Sequence, residues 1–153
     1  MADSYRMGII GAGAVADLHA RAIADLDHAH LVAVARRTEE PGRAFAEEHG
    51  CTWYADYERL LDEAEVGAVT VATPSGAHLE PTLAAAERGV HVLCEKPLEI
   101  TTDRVDRMIA AAEAHDVKLG GIFQHRFSDV LRTVHEAVAE ERLGSLAVAT
   151  ASV

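Results

Sequence analysis

A chain of 153 residues holds one full domain with its own core and is short for two. A formal net charge of −11, with no basic stripe, excludes a nucleic-acid-binding surface. The longest apolar runs fall far below the ~18 residues of a membrane helix, which excludes a membrane partner. Met1 to Arg6 lacks the basic and apolar segments of a signal peptide, so the expected location is cytoplasmic. Two cysteines, Cys51 and Cys94, suit a reducing interior as small buried hydrophobes. Lys96 and Lys118 are the only lysines, a bias that fits salt adaptation and high-GC coding equally well.

Strand-length apolar runs alternate with helix-length amphipathic stretches, the pattern of a parallel sheet. Tyr5 to Ile10 is the first predicted strand. A helix over Ala14 to Leu26 follows, with Val15, Leu18, Ala22, Ile23 and Leu26 expected on its packed side. Leu31 to Ala35 is the second strand, and Pro41 to His49 a helix stopped by Gly50. Thr52 to Tyr54 is a short third strand, after which Asp56 caps the helix carrying Leu60 and Leu61.

Ala68 to Ala72 is the fourth strand, closed by Thr73-Pro74-Ser75-Gly76, and a helix over Ala77 to Arg88 ends at Gly89. The fifth strand stops abruptly on Glu95-Lys96-Pro97, which sets an ammonium at a strand's carboxyl end. Helix Asp103 to His115 is expected to bury Val105, Met108, Ile109 and Ala112. Val117 to Phe123 is the sixth strand, and Asp129 to Arg142 a helix with Val130, Leu131, Val134 and Val138 on one face. The order predicts an α/β, doubly wound, six-stranded Rossmann sheet over residues 1–142. Residues 143–153 read as one further strand, as in a chain cut where a second α/β domain begins. That apolar strand edge predicts a homo-oligomer.

Gly11-Ala12-Gly13-Ala14-Val15-Ala16 joins the first strand to the first helix as Gly-x-Gly-x-x-Ala, the dinucleotide fingerprint in its required context. Gly11 permits the tight turn, Gly13 lets a pyrophosphate approach the amides, and Ala16 keeps the helix close to the sheet. At the end of the second strand, where an NAD-selective site places a carboxylate, the sequence has Arg36 and Arg37. Two guanidiniums favour the 2′-phosphate of NADP over NAD. His78 reads either as a histidine bonding locally at a helix start or as a catalytic group. Arg126, in Gln124-His125-Arg126-Phe127, reads equally as an anion partner or a structural ion-pair residue. The nine histidines show no metal-ligand spacing, so no metal is expected.

The fingerprint, Thr73-Pro74-Ser75-x-x-His78, Glu95-Lys96-Pro97 and Gln124-x-Arg126-Phe127, in this order, resemble the Gfo/Idh/MocA family of oxidoreductases. The resemblance implies hydride transfer between NAD(P) and a sugar, cyclitol or similar polyol. It places Gly11, Gly13, Ala14, Val15 and Ala16 at the pyrophosphate and Arg36 and Arg37 at the adenosine ribose. Thr73, Pro74 and His78 would border the cofactor, with Gln124 and Arg126 also beside it. It sets Lys96 near the nicotinamide, before a cis Pro97, stabilising alkoxide character, with Glu95 orienting Lys96 or touching cofactor. In this family the substrate pocket comes from a second domain, so the chain by itself is expected to bind cofactor without turnover. The alternative is a non-catalytic dinucleotide-binding or regulatory module. Retention of Lys96 favours the enzyme.

Overall fold

The computed structural model describes residues 4–150. Its centre is one sheet of six parallel strands: β1 (Tyr5–Ile10), β2 (Ala29–Ala35), β3 (Thr52–Tyr54), β4 (Ala68–Val71), β5 (His91–Glu95) and β6 (Leu119–Ile122). Their order, β3-β2-β1-β4-β5-β6, is that of the doubly wound dinucleotide fold. Between them run α1 (Ala14–Ala24), α2 (Glu39–His49), α3 (Tyr57–Glu63), α4 (Leu79–Glu87) and α5 (Thr102–Ala114). Because β1 and β4 are adjacent, the chain reverses its winding there, and a crevice opens at their carboxyl ends.

One core layer joins Val69, Val71, Val92 and Cys94 of the sheet to Leu60, Leu79, Ala85 and Met108 of the helices. On the other face Met7, Ile9 and Val34 meet Ala16, Ala20, Ile23 and Ala46. The inward side of α1 is therefore an alanine stripe, not the expected bulky one. Val15, Leu18 and Leu26 are exposed, and of the expected set Ile23 alone is buried. The glycine turn at the start of α1 brings its axis too near the sheet for larger side chains. Similarly, α5 buries Met108 and Ala112 but leaves Ile109 exposed.

Local signals fix most boundaries. Asp56 caps α3 by accepting the Arg59 N–H at 2.8 Å, and Gly50 ends α2 in the left-handed region at φ +65°. The α2 helix starts at Glu39, before the expected Pro41, since both acids of its first turn favour the positive helix end. Burial pushes the Cys94 thiol up to about 12 and the Cys51 thiol up to about 11, and both cysteines are free. None of the helices is long and apolar enough to cross a membrane, among the described residues.

The compact unit that holds the sheet closes at Ile122, not at the expected residue 142. A second unit begins at Phe123 and contains a 3-10 helix (Gln124–Phe127) and α6 (Asp129–Ala139). Neither element buries a residue, so they form no core of their own. The strand expected over 143–153 is absent from residues 143–150, where no neighbouring strand supplies a hydrogen-bond ladder. Residues 151–153 lie outside the described part.

Candidate cofactor site

The carboxyl ends of β1, β2, β4 and β5 carry the residues singled out by sequence. Gly11 stands at φ +95°, and a Cβ there would lie 2.8 Å from the backbone of Ala72 and Thr73. Only glycine lets the turn after β1 press against the loop after β4. Gly13 differs: its backbone is extended and a Cβ would meet nothing within 4 Å. It caps α1 without a side-chain acceptor for the first-turn amides, and Gly13, Ala14 and Val15 are exposed. Ala16, fully buried, holds the helix to the sheet as the fingerprint requires. The open space at Gly13, beside the positive end of α1, fits a pyrophosphate.

At the end of β2 the two arginines part company. Arg36 is fixed on every side. Its guanidinium donates to the Ala12 carbonyl, its N–H to Tyr54 O at 3.0 Å, and its own carbonyl accepts the Trp53 indole N–H at 2.9 Å. Arg37 is exposed and makes no side-chain hydrogen bond or ion pair among the described residues. The Arg43 guanidinium lies over the Trp53 ring at 4.7 Å and pairs with Glu39 at 2.8 Å. This edge is thus rich in guanidinium groups, with the acids Glu39 and Glu40 beside it.

After β5, Glu95 is partly buried while Lys96 and Pro97 are exposed, and the Lys96–Pro97 peptide is cis. One Glu95 oxygen accepts the Lys96 N–H at 3.1 Å, and the other meets His19 Nε2 at 3.0 Å. His19, on α1, had no signal in the sequence, because its partner lies on a distant strand. The Lys96 ammonium is in no ion pair among the described residues.

After β4, Pro74 is exposed, and the Thr73 hydroxyl closes its own loop by donating to Ala77 O at 2.9 Å. His78 was expected to border the cofactor, but its side chain is buried at 1% exposure, behind the loops. Both ring nitrogens face protein carbonyls, of Thr73 on one side and Pro97 on the other, leaving none to reach a ligand. Behind it lies Glu99, which sequence reasoning missed. Its carboxylate accepts the N–H groups of His78 (3.2 Å), Leu79 (3.1 Å) and Ile100 (2.8 Å), and Arg104 Nε lies 3.0 Å away. The Arg104 hydrogen bond first, then the backbone amides, holds the Glu99 carboxyl down at about 2. Glu99 thereby caps α4 from outside, which starts the helix at Leu79 and not at Ala77.

Gln124 and Arg126 lie exposed on the 3-10 helix of the second unit. Asp17, Glu48 and His49 are a group of potential metal ligands within 4.8 Å of one another, on α1 and α2. Asp17 there bridges His49 at 3.2 Å and Arg21 at 3.0 Å, which joins the two helices. Two hollows lie at the amino ends of strands, one beside Tyr5 and one beside Lys118.

Comparison with known proteins agrees with this layout. Residues 5–123 match the family model described as an oxidoreductase family with an NAD-binding Rossmann fold. The chain is 34% identical over 140 residues to myo-inositol 2-dehydrogenase of Thermotoga maritima, covering 91% of this chain and 42% of that protein. It is 38% identical over 121 residues to D-xylose 1-dehydrogenase (NADP(+)) 2 of Haloferax volcanii, covering 78% of this chain and 37% of that one. The WlbA dehydrogenase of Bordetella pertussis, solved with NADH and UDP-GlcNAcA, superposes with a TM-score of 0.89 at 30% identity. That match covers 92% of this chain and 43% of WlbA. The chain thus spans less than half the length of these relatives, and over that span it belongs to the Gfo/Idh/MocA oxidoreductases as their NAD-binding Rossmann domain.

Proposed function

We propose that this chain is the cofactor domain of an oxidoreductase acting on a sugar, cyclitol or similar polyol, with NADP preferred over NAD. The observation that carries the reading is the shared position of Gly13, Arg37 and Lys96 at the carboxyl edge of one sheet. Unpaired guanidinium after β2, open space for a phosphate after β1 and unpaired ammonium after β5 follow one another along the sheet edge, in the order in which an extended dinucleotide would meet them. The substrate class is supported by the inositol and xylose dehydrogenases among the relatives.

In this reading the first-turn amides of α1 bind the pyrophosphate, and Ala16 keeps them at the right depth. Arg37 pairs with the 2′-phosphate, while Arg36 holds the shape of the glycine turn through the Ala12 carbonyl. The bound nicotinamide supplies the hydride chemistry. Lys96 hydrogen-bonds the reacting oxygen of the substrate, stabilising the negative charge that builds there, and Glu95 fixes the backbone from which Lys96 projects. Gln124 and Arg126 are assigned to the cofactor surroundings on the family resemblance alone. The chain by itself binds cofactor and does not turn over polyols.

Titration of the chain with NADPH and NADH, followed by nicotinamide fluorescence, tests the assignment. NADPH is expected to bind roughly tenfold more tightly. Arg37→Asp should narrow or reverse that difference. Equal affinities that ignore the substitution would remove the NADP reading.

A further inference from the structure

Asp17 of α1 and the adjacent Glu48 and His49 of α2 each bring one ligand atom to within 4.8 Å of the others. The set is split between two helices. Histidine spacing, on which the expectation of no metal rests, therefore could not reveal it.

His49 sets this group apart from an ordinary surface ion pair. Its side chain is 12% exposed, and Nε2 itself is shut off from solvent. That nitrogen lies 3.2 Å from Asp17 Oδ1, yet it makes no hydrogen bond among the described residues. The oxygen stands off the direction in which the ring nitrogen points, and a hydrogen bond needs donor, proton and acceptor nearly in line. Two ligands of one metal ion need the opposite arrangement, since each points at the ion and past the other. With zinc bonds of about 2.0–2.1 Å in a tetrahedral site, neighbouring ligand atoms stand roughly 3.3 Å apart. Nε2 and Oδ1 already hold the separation of such a pair.

The neighbouring side chains fit the same arrangement. The Phe45 ring lies against His49 with centroids 4.4 Å apart, which holds the imidazole in one orientation. Arg21 takes Asp17 Oδ2 at 3.0 Å and leaves Oδ1 facing His49. Glu48 is exposed, so its carboxylate can rotate to close the remaining distance and to admit an ion. Two carboxylates outweigh the one guanidinium beside them, and the site attracts a cation. An imidazole nitrogen with two carboxylate oxygens suits a divalent transition ion such as zinc. Magnesium and calcium prefer oxygen alone.

We propose that Asp17, Glu48 and His49 form a binding site for a divalent transition-metal ion, with zinc the fitting probe, that fastens α1 to α2. Solvent supplies the fourth ligand on the exposed Glu48 side. Asp17 stands about one helical turn after Gly13, and α2 begins just after Arg37. The ion thus joins the helices that leave the glycine turn and the arginine pair. The site does not depend on cofactor binding.

Calorimetric titration of the metal-stripped chain with Zn2+ tests it. One ion per chain should bind in roughly the micromolar range, ahead of any weaker site, and raise the temperature of unfolding. His49→Gln and Asp17→Asn should each weaken that binding by roughly tenfold or more, since even a partner behind a metal ligand is worth that much. His115→Gln, a change to an exposed histidine at the end of α5, should leave it unaltered. Should a variant fail to fold, nitrogen NMR of the labelled parent chain decides the matter. Zn2+ should then move the Nε2 resonance of His49 first. No binding, binding that either variant retains in full, or shifts at other histidines with His49 unmoved would each overturn the site.

Discussion

His19 on α1 and Glu95 at the end of β5 meet with Nε2 3.0 Å from Oε1, and the other oxygen of that carboxylate takes the Lys96 N–H. Both side chains are largely buried, at 11% and 15% exposure, so water competes weakly for the contact. The helix whose first turn carries the glycine fingerprint is thereby tied to the turn that carries the lysine. His19→Ala should loosen that turn and weaken NADPH binding by roughly fivefold to tenfold. His19→Gln, which retains a donor, should recover most of it. Fluorescence titration checks both, and unchanged affinity in the alanine variant would leave the pair a local contact with no effect on the site.

Two glycines in the same turn should behave in opposite ways. Gly11→Ala places a Cβ 2.8 Å from the backbone of Ala72 and Thr73 at a positive φ, and should cost about 3 kcal/mol or more of stability. Gly13→Ala meets empty space at an extended backbone, so its cost should stay below about 1 kcal/mol. Cofactor affinity, however, should drop sharply for Gly13→Ala, because the methyl group fills the space assigned to the pyrophosphate. Thermal melts and a binding titration on both variants separate the two roles.

Glu99 gives the fold a dependence on acid. Its carboxyl is held at about 2, below the ordinary value of 4.5, so the charged form is favoured in the folded chain. The stability it contributes is present above the unfolded value and is lost as the pH falls from there through about 2. Glu99→Gln should cost about 2–3 kcal/mol near neutral pH, since Arg104 and the α4 amides lose a charged acceptor. Denaturation of the variant and the parent at neutral and acid pH checks this, and the gap between them should shrink in acid.

Gly42 and Trp53 offer an optical readout of the adenosine end. A Cβ on Gly42 would lie 2.2 Å from the indole nitrogen, which itself donates to the Arg36 carbonyl. Gly42→Ala should displace the ring and free that carbonyl. Trp53 is the chain's single tryptophan, so its emission should shift to the red. NADPH affinity should fall with it, as Arg36 and Arg37 lose their anchored strand end.

Most of the fold was legible because each element carries its own punctuation. Alternating runs and the turn glycines marked β1 and β3 to the residue, Asp56 marked α3, and Gly50 marked the end of α2. Periodicity misjudged the packed face of α1, since Val15, Leu18 and Leu26 recur as regularly as Ala16, Ala20 and Ile23. Only the closeness of helix and sheet decides between the two stripes. The loops of the site were legible as motifs, yet the side chains behind them were not. His19 meets Glu95, and Glu99 meets α4, across separate elements, and no local pattern announces such a pair. His78 was visible as a motif residue, but its burial behind the loops depended on where Pro97 returned.

The central claim is that a dinucleotide lies along the carboxyl edge, from Arg37 past Gly13 to Lys96. Backbone amide NMR of the labelled chain during an NADPH titration addresses it most directly. The amides of Gly13 to Ala16, Arg37, Thr73 and Lys96 should move together and saturate, while Tyr5, Arg6 and Lys118 at the opposite ends of the strands stay still. Shifts confined to those opposite ends, or none at saturating NADPH, would contradict it.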